Sequence, residues 1–297
     1  MARKKTCGRL IAIALLGSSA ILTSCSRGPK GIIVGSKNFT EQVVLGEIIA
    51  QHLQHRLTIP VHKNLDLNGT LLTHQALLSG SIDLYPEYTG TAFTNVLNQR
   101  IVADPAIVLE RVRQQYSDLG LDWLDPLGFN NSFAMVVRGA DARDRHLTTL
   151  TDAANDPNGF VLGAGYEFMQ RPDGYATLNS GYSIKWTDPP KSMDLGLLYP
   201  ALQQNKVSIV AGSVTDGLLS KLDVKVLTDD KQVFPPYQAC IVVRKASEAQ
   251  YPELKQALHE LAGKISPEEM QKLNYAVDGE HRRASAVAAD FLKSKGL

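Results

Sequence analysis

From residue 31 onward, short apolar runs alternate with stretches of helical period. This alternation restricts the folds open to the chain more than any single motif. Gly31–Gly35 (Gly-Ile-Ile-Val-Gly) reads as a buried strand, followed by the polar loop Ser36–Phe39. A helix starts at about Thr40, with Thr40 able to cap it and Glu41 in the first turn, where negative charge is favoured. Val44, Leu45, Ile48, Ile49 and Leu53 fall on one stripe of that helix. Pro60–Leu65 is a second strand, Gly69–Leu78 a second helix closed by Gly80, and Ile82–Tyr85 a third strand. Pro86, which has no N–H, is expected to end that strand. The order β-α-β-α-β predicts a mainly parallel sheet with right-handed crossovers. In such sheets ligands sit past the carboxyl ends of the strands. Here those ends are followed by Ser36-Lys37 and by Glu87-Tyr88-Thr89-Gly90-Thr91.

The same logic recurs after a change of register near Leu127–Asn131. Phe133–Val137, Phe160–Leu162 and Val207–Val210 read as strands, and Asp194–Gln204 as a helix. Pro235-Pro236-Tyr237 marks a second switch, and Gln238–Val243 is a strand able to return to the first sheet. Helix starts are signalled by Asp104-Pro105 and by Ser266-Pro267-Glu268-Glu269. Two crossings, near residues 127–131 and 232–238, predict two lobes around a cleft that closes like a hinge. The alternative is one continuous doubly wound sheet.

The N-terminus carries its own signal. Arg3, Lys4, Lys5 and Arg9 precede a mainly apolar run, Leu10 to Leu22, of 13 residues. That is the order of a secretory signal, and the run is short for a bilayer span. Leu22-Thr23-Ser24-Cys25 resembles a bacterial lipoprotein cleavage site, which implies lipid on Cys25 and loss of residues 1–24. An ordinary secretory signal or a short membrane anchor are the alternatives. Each places the rest of the chain outside the cytoplasm, on the periplasmic side in a Gram-negative host. Residues 25–30 then form a tether. The whole chain has 31 Lys+Arg and 30 Asp+Glu. Losing the four leader cations leaves 27 against 30, a net charge near −3. With no basic block, a nucleic-acid partner is not expected. Cys7 leaves with the leader, so Cys240 is left without an internal partner and is expected to pack as a small hydrophobe.

No catalytic constellation assembles. His52 and His55 lie three apart without a metal motif and read as surface or edge residues. There is no Gly-x-Ser-x-Gly elbow and no phosphate loop. The chain is therefore read as a binding protein, not an enzyme, with no cofactor and no metal. Lys37, Tyr88, Thr91, Arg171 and Tyr237 stand beside the expected strand ends. Tyrosine faces attract a quaternary ammonium. Lys37 and Arg171 suit a carboxylate, the arginine as a bidentate fork. Together they suit a small zwitterion.

Seven ordered segments carry a family resemblance: Gly35-Ser36-Lys37-Asn38-Phe39-Thr40-Glu41-Gln42, Asp83-Leu84-Tyr85-Pro86-Glu87-Tyr88-Thr89-Gly90-Thr91, Leu127-Gly128-Phe129-Asn130-Asn131, Arg171-Pro172-Asp173-Gly174, Thr215-Asp216-Gly217, Phe234-Pro235-Pro236-Tyr237 and Leu273-Asn274-Tyr275. The chain resembles the glycine betaine/carnitine/choline (osmoprotectant) substrate-binding proteins of ABC importers over nearly all of residues 31–293. The resemblance implies a two-lobed α/β periplasmic-binding-protein fold of the class with two crossovers (type II), each lobe a mainly parallel sheet flanked by helices. The lobes would be 31–128 plus 236–297, and 129–235. It implies delivery of the solute to a membrane permease with cytoplasmic ATPases. It places Tyr88 and Tyr237 in an aromatic box for the trimethylammonium head, and Lys37, Thr91 and Arg171 at the carboxylate. Two positions depart from the family pattern. Phe133 stands where the family often has Tyr, and Ser213 where it often has an aromatic. Loss of one cation–π partner costs about 1–2 kcal/mol, so weaker betaine binding or another amino-acid-like or betaine-like solute is expected. A sensory module on the same fold is the other reading.

Overall fold

The computed structural model describes Ala2 and residues 31–297. The leader's apolar run, Cys25 and the tether lie outside the described residues. Residues 31–297 form one compact unit holding two five-stranded sheets. The strands are β1 (Ile32–Gly35), β2 (Val61–Asn64), β3 (Leu84–Tyr88), β4 (Leu121–Trp123), β5 (Phe133–Arg138), β6 (Leu162–Ala164), β7 (Lys191–Ser192), β8 (Ile209–Ser213), β9 (Val224–Leu227) and β10 (Ala239–Arg244). The first sheet has the order β2-β1-β3-β10-β4 and the second β7-β6-β8-β5-β9.

The two sheets are built alike. In the first, β1 pairs parallel with β2 and β3, while β10 is antiparallel to both β3 and β4. In the second, β6 is parallel to β7 and β8, while β5 is antiparallel to β8 and β9. Four strands of each sheet therefore point one way, as expected, but the ladders are mixed. The opposed strand is in each case the one that enters the lobe straight after a crossing. The two crossings run side by side. Leu127 N–H donates to Ala239 (2.8 Å), Ala239 N–H to Phe129 (3.1 Å) and Asn131 N–H to Tyr237 (2.9 Å). A hydrogen-bonded ribbon, not a pair of loose linkers, joins the lobes.

The third strand differs from its sequence reading. β3 runs through Pro86 to Tyr88, with Pro86 opposite Ile241. Ile241 gives its carbonyl to Leu124 on the far side, so the Ile241–Pro86 pair exchanges no hydrogen bond. β1 reaches β3 only at Leu84, so the proline nitrogen faces an edge that needs no donor. The strand can thus carry Glu87 and Tyr88 further than expected.

The helices follow their local signals with two exceptions. These helices are α1 (Thr40–Arg56), α2 (Thr70–Ser79), α3 (Pro105–Asp118), α4 (Pro267–Asp278) and α5 (Ala284–Lys295). Gly80 closes α2 at φ +79°, where a side chain is disfavoured. Asp104 caps α3, and Ser266 and Glu269 form a full capping box on α4. Thr40, however, does not cap α1; Phe39 holds that position, and the Thr40 hydroxyl donates to Asp278 instead (2.6 Å). His52 is not a surface residue. The helix Leu254–His259 covers its side of α1, and its Nε2 meets the Ala257 carbonyl at 2.8 Å. Burial holds its pKa below the usual range. Cys240 packs in the core as expected, and burial pushes its thiol up to about 12. The stretch 194–204 is a single turn of 3₁₀ helix followed by a short α-helix, and the edge strands β4, β7 and β9 had no sequence signal of their own. No described helix is long and apolar enough to cross a membrane.

The lobes also touch away from the ribbon. The turn Gly217–Ser220 packs on α4, and a Cβ on Gly217 would lie 2.2 Å from the Tyr275 nitrogen. That neighbour is backbone and has no rotamer to yield. Gly217→Ala is expected to hold the lobes apart. Small-angle scattering should then give a larger radius of gyration than for the parent; superimposable curves would refute this role.

Candidate functional site

A cleft of about 750 Å³ lies between the two sheets. Lys37, Tyr88, Thr91, Phe133, Arg171, Ser213 and Tyr237, all named from the sequence, line it. Its cationic end is built on Arg171, which follows the short helix Tyr166–Gln170. The guanidinium donates through Nε and Nη2 to the Asp173 carboxylate (2.9 and 2.6 Å) and through Nη2 to Thr91 Oγ1 (3.1 Å). Tyr237 donates its hydroxyl to Asp173 (2.8 Å). Burial raises the Asp173 pKa, but the Arg171 charge and these hydrogen bonds outweigh it and hold the carboxyl below its usual range. Among the described residues Nη1 makes no hydrogen bond, and Glu167 Oε2 lies 3.9 Å from it.

Lys37 is placed differently from its sequence reading. Its ammonium lies 2.5 Å from Glu87 and 3.1 Å from Thr70 Oγ1, and both Lys37 and Glu87 are buried. The continuation of β3 past Pro86 brings Glu87 across to the end of β1. The Lys37 charge is thus balanced inside the protein. What remains for a ligand is its third N–H. Of the two expected anion binders, Arg171 has the freer donor.

Aromatic rings gather beside this end. Arg171 stands over Phe133 at 5.1 Å and over Tyr237 at 5.9 Å. Phe133 meets Phe168 at 4.9 Å, and Tyr237 and Phe234 at 5.5 Å, all edge to face. Phe39 stacks on Tyr88 at 6.3 Å. Phe39 and Phe168 line the cleft and were not named from the sequence as site residues; their signal was an aromatic beside Lys37 and another three residues before Arg171. Ser213 offers no ring. Its hydroxyl donates to Asn131 and contacts Thr215 Oγ1 (3.1 Å).

The residue most clearly missed is Glu41. It is 3% exposed and lines the cleft. Oε1 accepts from the Tyr88 hydroxyl (2.6 Å) and Asn131 Nδ2 (2.7 Å), and Oε2 from Thr215 Oγ1 (2.6 Å) and Asn274 Nδ2 (3.1 Å). Burial raises its pKa while the four donors pull the other way. In the sequence it read only as first-turn charge. Glu167 links the lobes at the other end, accepting from Thr70 N (2.7 Å) at the start of α2.

Asp216 lines the cleft beside Ser213. Its Oδ2 accepts from Tyr199 (2.7 Å) and from Ser213 N–H (2.8 Å). Burial pushes its pKa up to about 6, with Glu41 and Asp278 adding to the rise and the two hydrogen bonds opposing it. Between the ordinary value of about 3.9 and about 6, the folded state holds more proton than the unfolded one. Stability therefore falls as pH rises through that window, and the cost is fully present above it. Asp216→Asn should gain more stability over the parent at pH 7.5 than at pH 4.5, as read by urea unfolding. An equal difference at both pH values would contradict the shift.

Residues 30–294 match the family described as OpuAC, substrate binding domain of ABC-type glycine betaine transport system. The chain is 34% identical over 299 residues to the carnitine transport binding protein OpuCC of Listeria monocytogenes, covering 98% of this chain and 97% of that protein. It is 36% identical over 270 residues to the ergothioneine transport permease/ergothioneine binding protein EgtU of Helicobacter pylori, covering 90% of this chain and 48% of that one. The crystal structure of a glycine betaine/carnitine/choline ABC transporter protein superposes with a TM-score of 0.76 at 31% identity, over 89% of this chain and 98% of that one.

Proposed function

Since the chain belongs to the family of substrate-binding domains of ABC-type glycine betaine transport systems, we propose that its solute is a small carboxylated quaternary amine of the carnitine or glycine betaine kind, held in the interlobe cleft. The protein is a substrate-binding component of an ABC importer, not an enzyme, and it works outside the cytoplasm with a membrane permease. The observation that carries the choice of solute is the juxtaposition at Arg171. A guanidinium with one free nitrogen stands over the rings of Phe133 and Tyr237, in a cleft that Tyr88 also lines. A carboxylate on Nη1 and an ammonium against the rings satisfy both groups at once. Lys37 and Thr91 complete the carboxylate's surroundings. The negative Glu41 behind the Tyr88 hydroxyl favours a cation on that side. Phe39 and Phe168 offer faces that offset the missing ring at Ser213.

A lipid on Cys25 would hold the protein at the membrane surface. The order of cationic start, apolar run, small residues and cysteine supports this.

Arg171→Ala separates the roles. In calorimetric titration of the protein freed of co-purified solute, it should weaken carnitine and glycine betaine at least tenfold and choline, which has no carboxylate, far less. Removing the arginine also leaves Asp173 buried without its cation, a general destabilisation of about 3–5 kcal/mol. The choline titration on the same variant controls for that. Equal losses for all three solutes would rule out the carboxylate role.

A further inference from the structure

The helix α2 begins without a cap of its own. Gly69 holds the N-cap position and has no side chain to accept from the first turn, and no acidic residue stands in that turn. The first N–H groups of a helix have no partner inside it, and they draw negative charge. Here the carboxylate comes from the other lobe. Glu167, in the short helix straight after β6, accepts from Thr70 N–H through Oε1 (2.7 Å) and from the Thr70 hydroxyl through Oε2 (3.3 Å). α2 lies between β2 and β3 of the first sheet and β6 belongs to the second, so both bonds cross between the lobes.

The glycine at the cap is explained by its neighbour. A Cβ on Gly69 would lie 2.2 Å from Glu167 Oε1, and its three nearest atoms would all belong to Glu167. The backbone itself makes no demand for glycine, since Gly69 sits at φ −70°. Serine, threonine, asparagine or aspartate, the other residues preferred at this position, would cap α2 from within and meet the incoming carboxylate. Gly69 leaves the helix end open to Glu167.

The contact also lies between the two cations of the cleft. The Thr70 hydroxyl accepts from Lys37 Nζ (3.1 Å), and Glu167 Oε2 is 3.9 Å from Arg171 Nη1. Arg171 makes its own crossing to Thr91 Oγ1 (3.1 Å). Lys37 and Arg171, on opposite lobes, are therefore brought together by the same closure that sets Glu167 on α2. The Glu167 side chain is 44% exposed. It can part from Thr70 into water when the lobes separate, without the cost that a buried carboxylate would carry.

We propose that Glu167 is a positioning residue, an interlobe latch. By capping α2 it holds the lobes together and sets how long a solute is retained, acting through closure and not through recognition of the solute. The inference does not depend on which solute the cleft takes. A carboxylate that only competed for Arg171 would act in the opposite sense: its removal would tighten carboxylated solutes and leave choline unchanged.

The test is a double-variant cycle in stopped-flow binding of carnitine, glycine betaine and choline. Glu167→Ala removes the carboxylate from one lobe, and Gly69→Ala displaces it from the other. Each is expected to speed dissociation about three- to tenfold, by the same factor for every solute that binds, with association nearly unchanged. In the Glu167→Ala background Gly69→Ala has no carboxylate to displace, so the double variant should release solute no faster than Glu167→Ala alone. Effects that multiply in the double variant overturn the latch. So do unchanged dissociation rates in Glu167→Ala, or a tightening confined to carnitine and glycine betaine. If the parent protein binds none of the three, the carboxylated quaternary amine reading fails. The latch is then decided by small-angle scattering with no solute added, in which Glu167→Ala and Gly69→Ala should each give a larger radius of gyration than the parent. Superimposable curves overturn it.

Discussion

The closed arrangement depends on one buried carboxylate. Glu41 projects from the first turn of α1 into the junction of the lobes, where an ionised group without partners would be very costly. It is tolerable because four donors converge on it. Tyr88 comes from the end of β3, Asn131 from the first crossing, Thr215 from the turn after β8, and Asn274 from α4. Two of those donors lie on the ribbon or the second lobe. They reach the carboxylate only when the lobes are together, so the same hydrogen bonds that make its burial tolerable define the geometry of closure. Glu167, capping α2 from the other lobe, repeats the device at the opposite end of the cleft.

Against that frame, the distribution of charge matters more than its count. The cations expected to hold a solute's carboxylate are both engaged inside the protein, Lys37 by Glu87 and Arg171 by Asp173. Pairing offsets the cost of burying them, and it leaves only particular N–H groups for a ligand. A bidentate arginine held by its own carboxylate is also rigid, which reduces the ordering needed when a solute arrives. Glu41 and Asp216, on the other side, have the opposite character: carboxylates with hydrogen bonds but no cation among the described residues.

The aromatic contribution shows how far a site can be read from its motif. Tyr88, Phe133 and Tyr237 were legible because each stands beside a strand end or a crossing, where open α/β sheets place their ligands. Phe39 and Phe168 complete the walls from a loop and a short helix. Their positions depend on how those segments pack against other rings, and sequence spacing does not contain that. Ser213 was correctly seen as lacking a face. Its hydroxyl instead joins Asn131 and Thr215, which tie it to the Glu41 network.

By itself the sequence determined the local structure: the alternation of strand and helix, the caps at Asp104 and Ser266, the left-handed close at Gly80, the two crossings and the candidate ring and cation positions. These are decided by steric and hydrogen-bonding preferences that act over a few residues. The tertiary structure decided every pairing over long distance. It ran β3 through Pro86, because an edge position needs no donor there. It set Glu87 against Lys37, buried His52 beneath a helix some 200 residues later, and drew to Glu41 donors from 47 to 233 residues away. Which charge meets which partner follows from strand register and lobe closure. Those emerge only when the whole chain competes to bury its apolar surface and leave few polar groups unpaired.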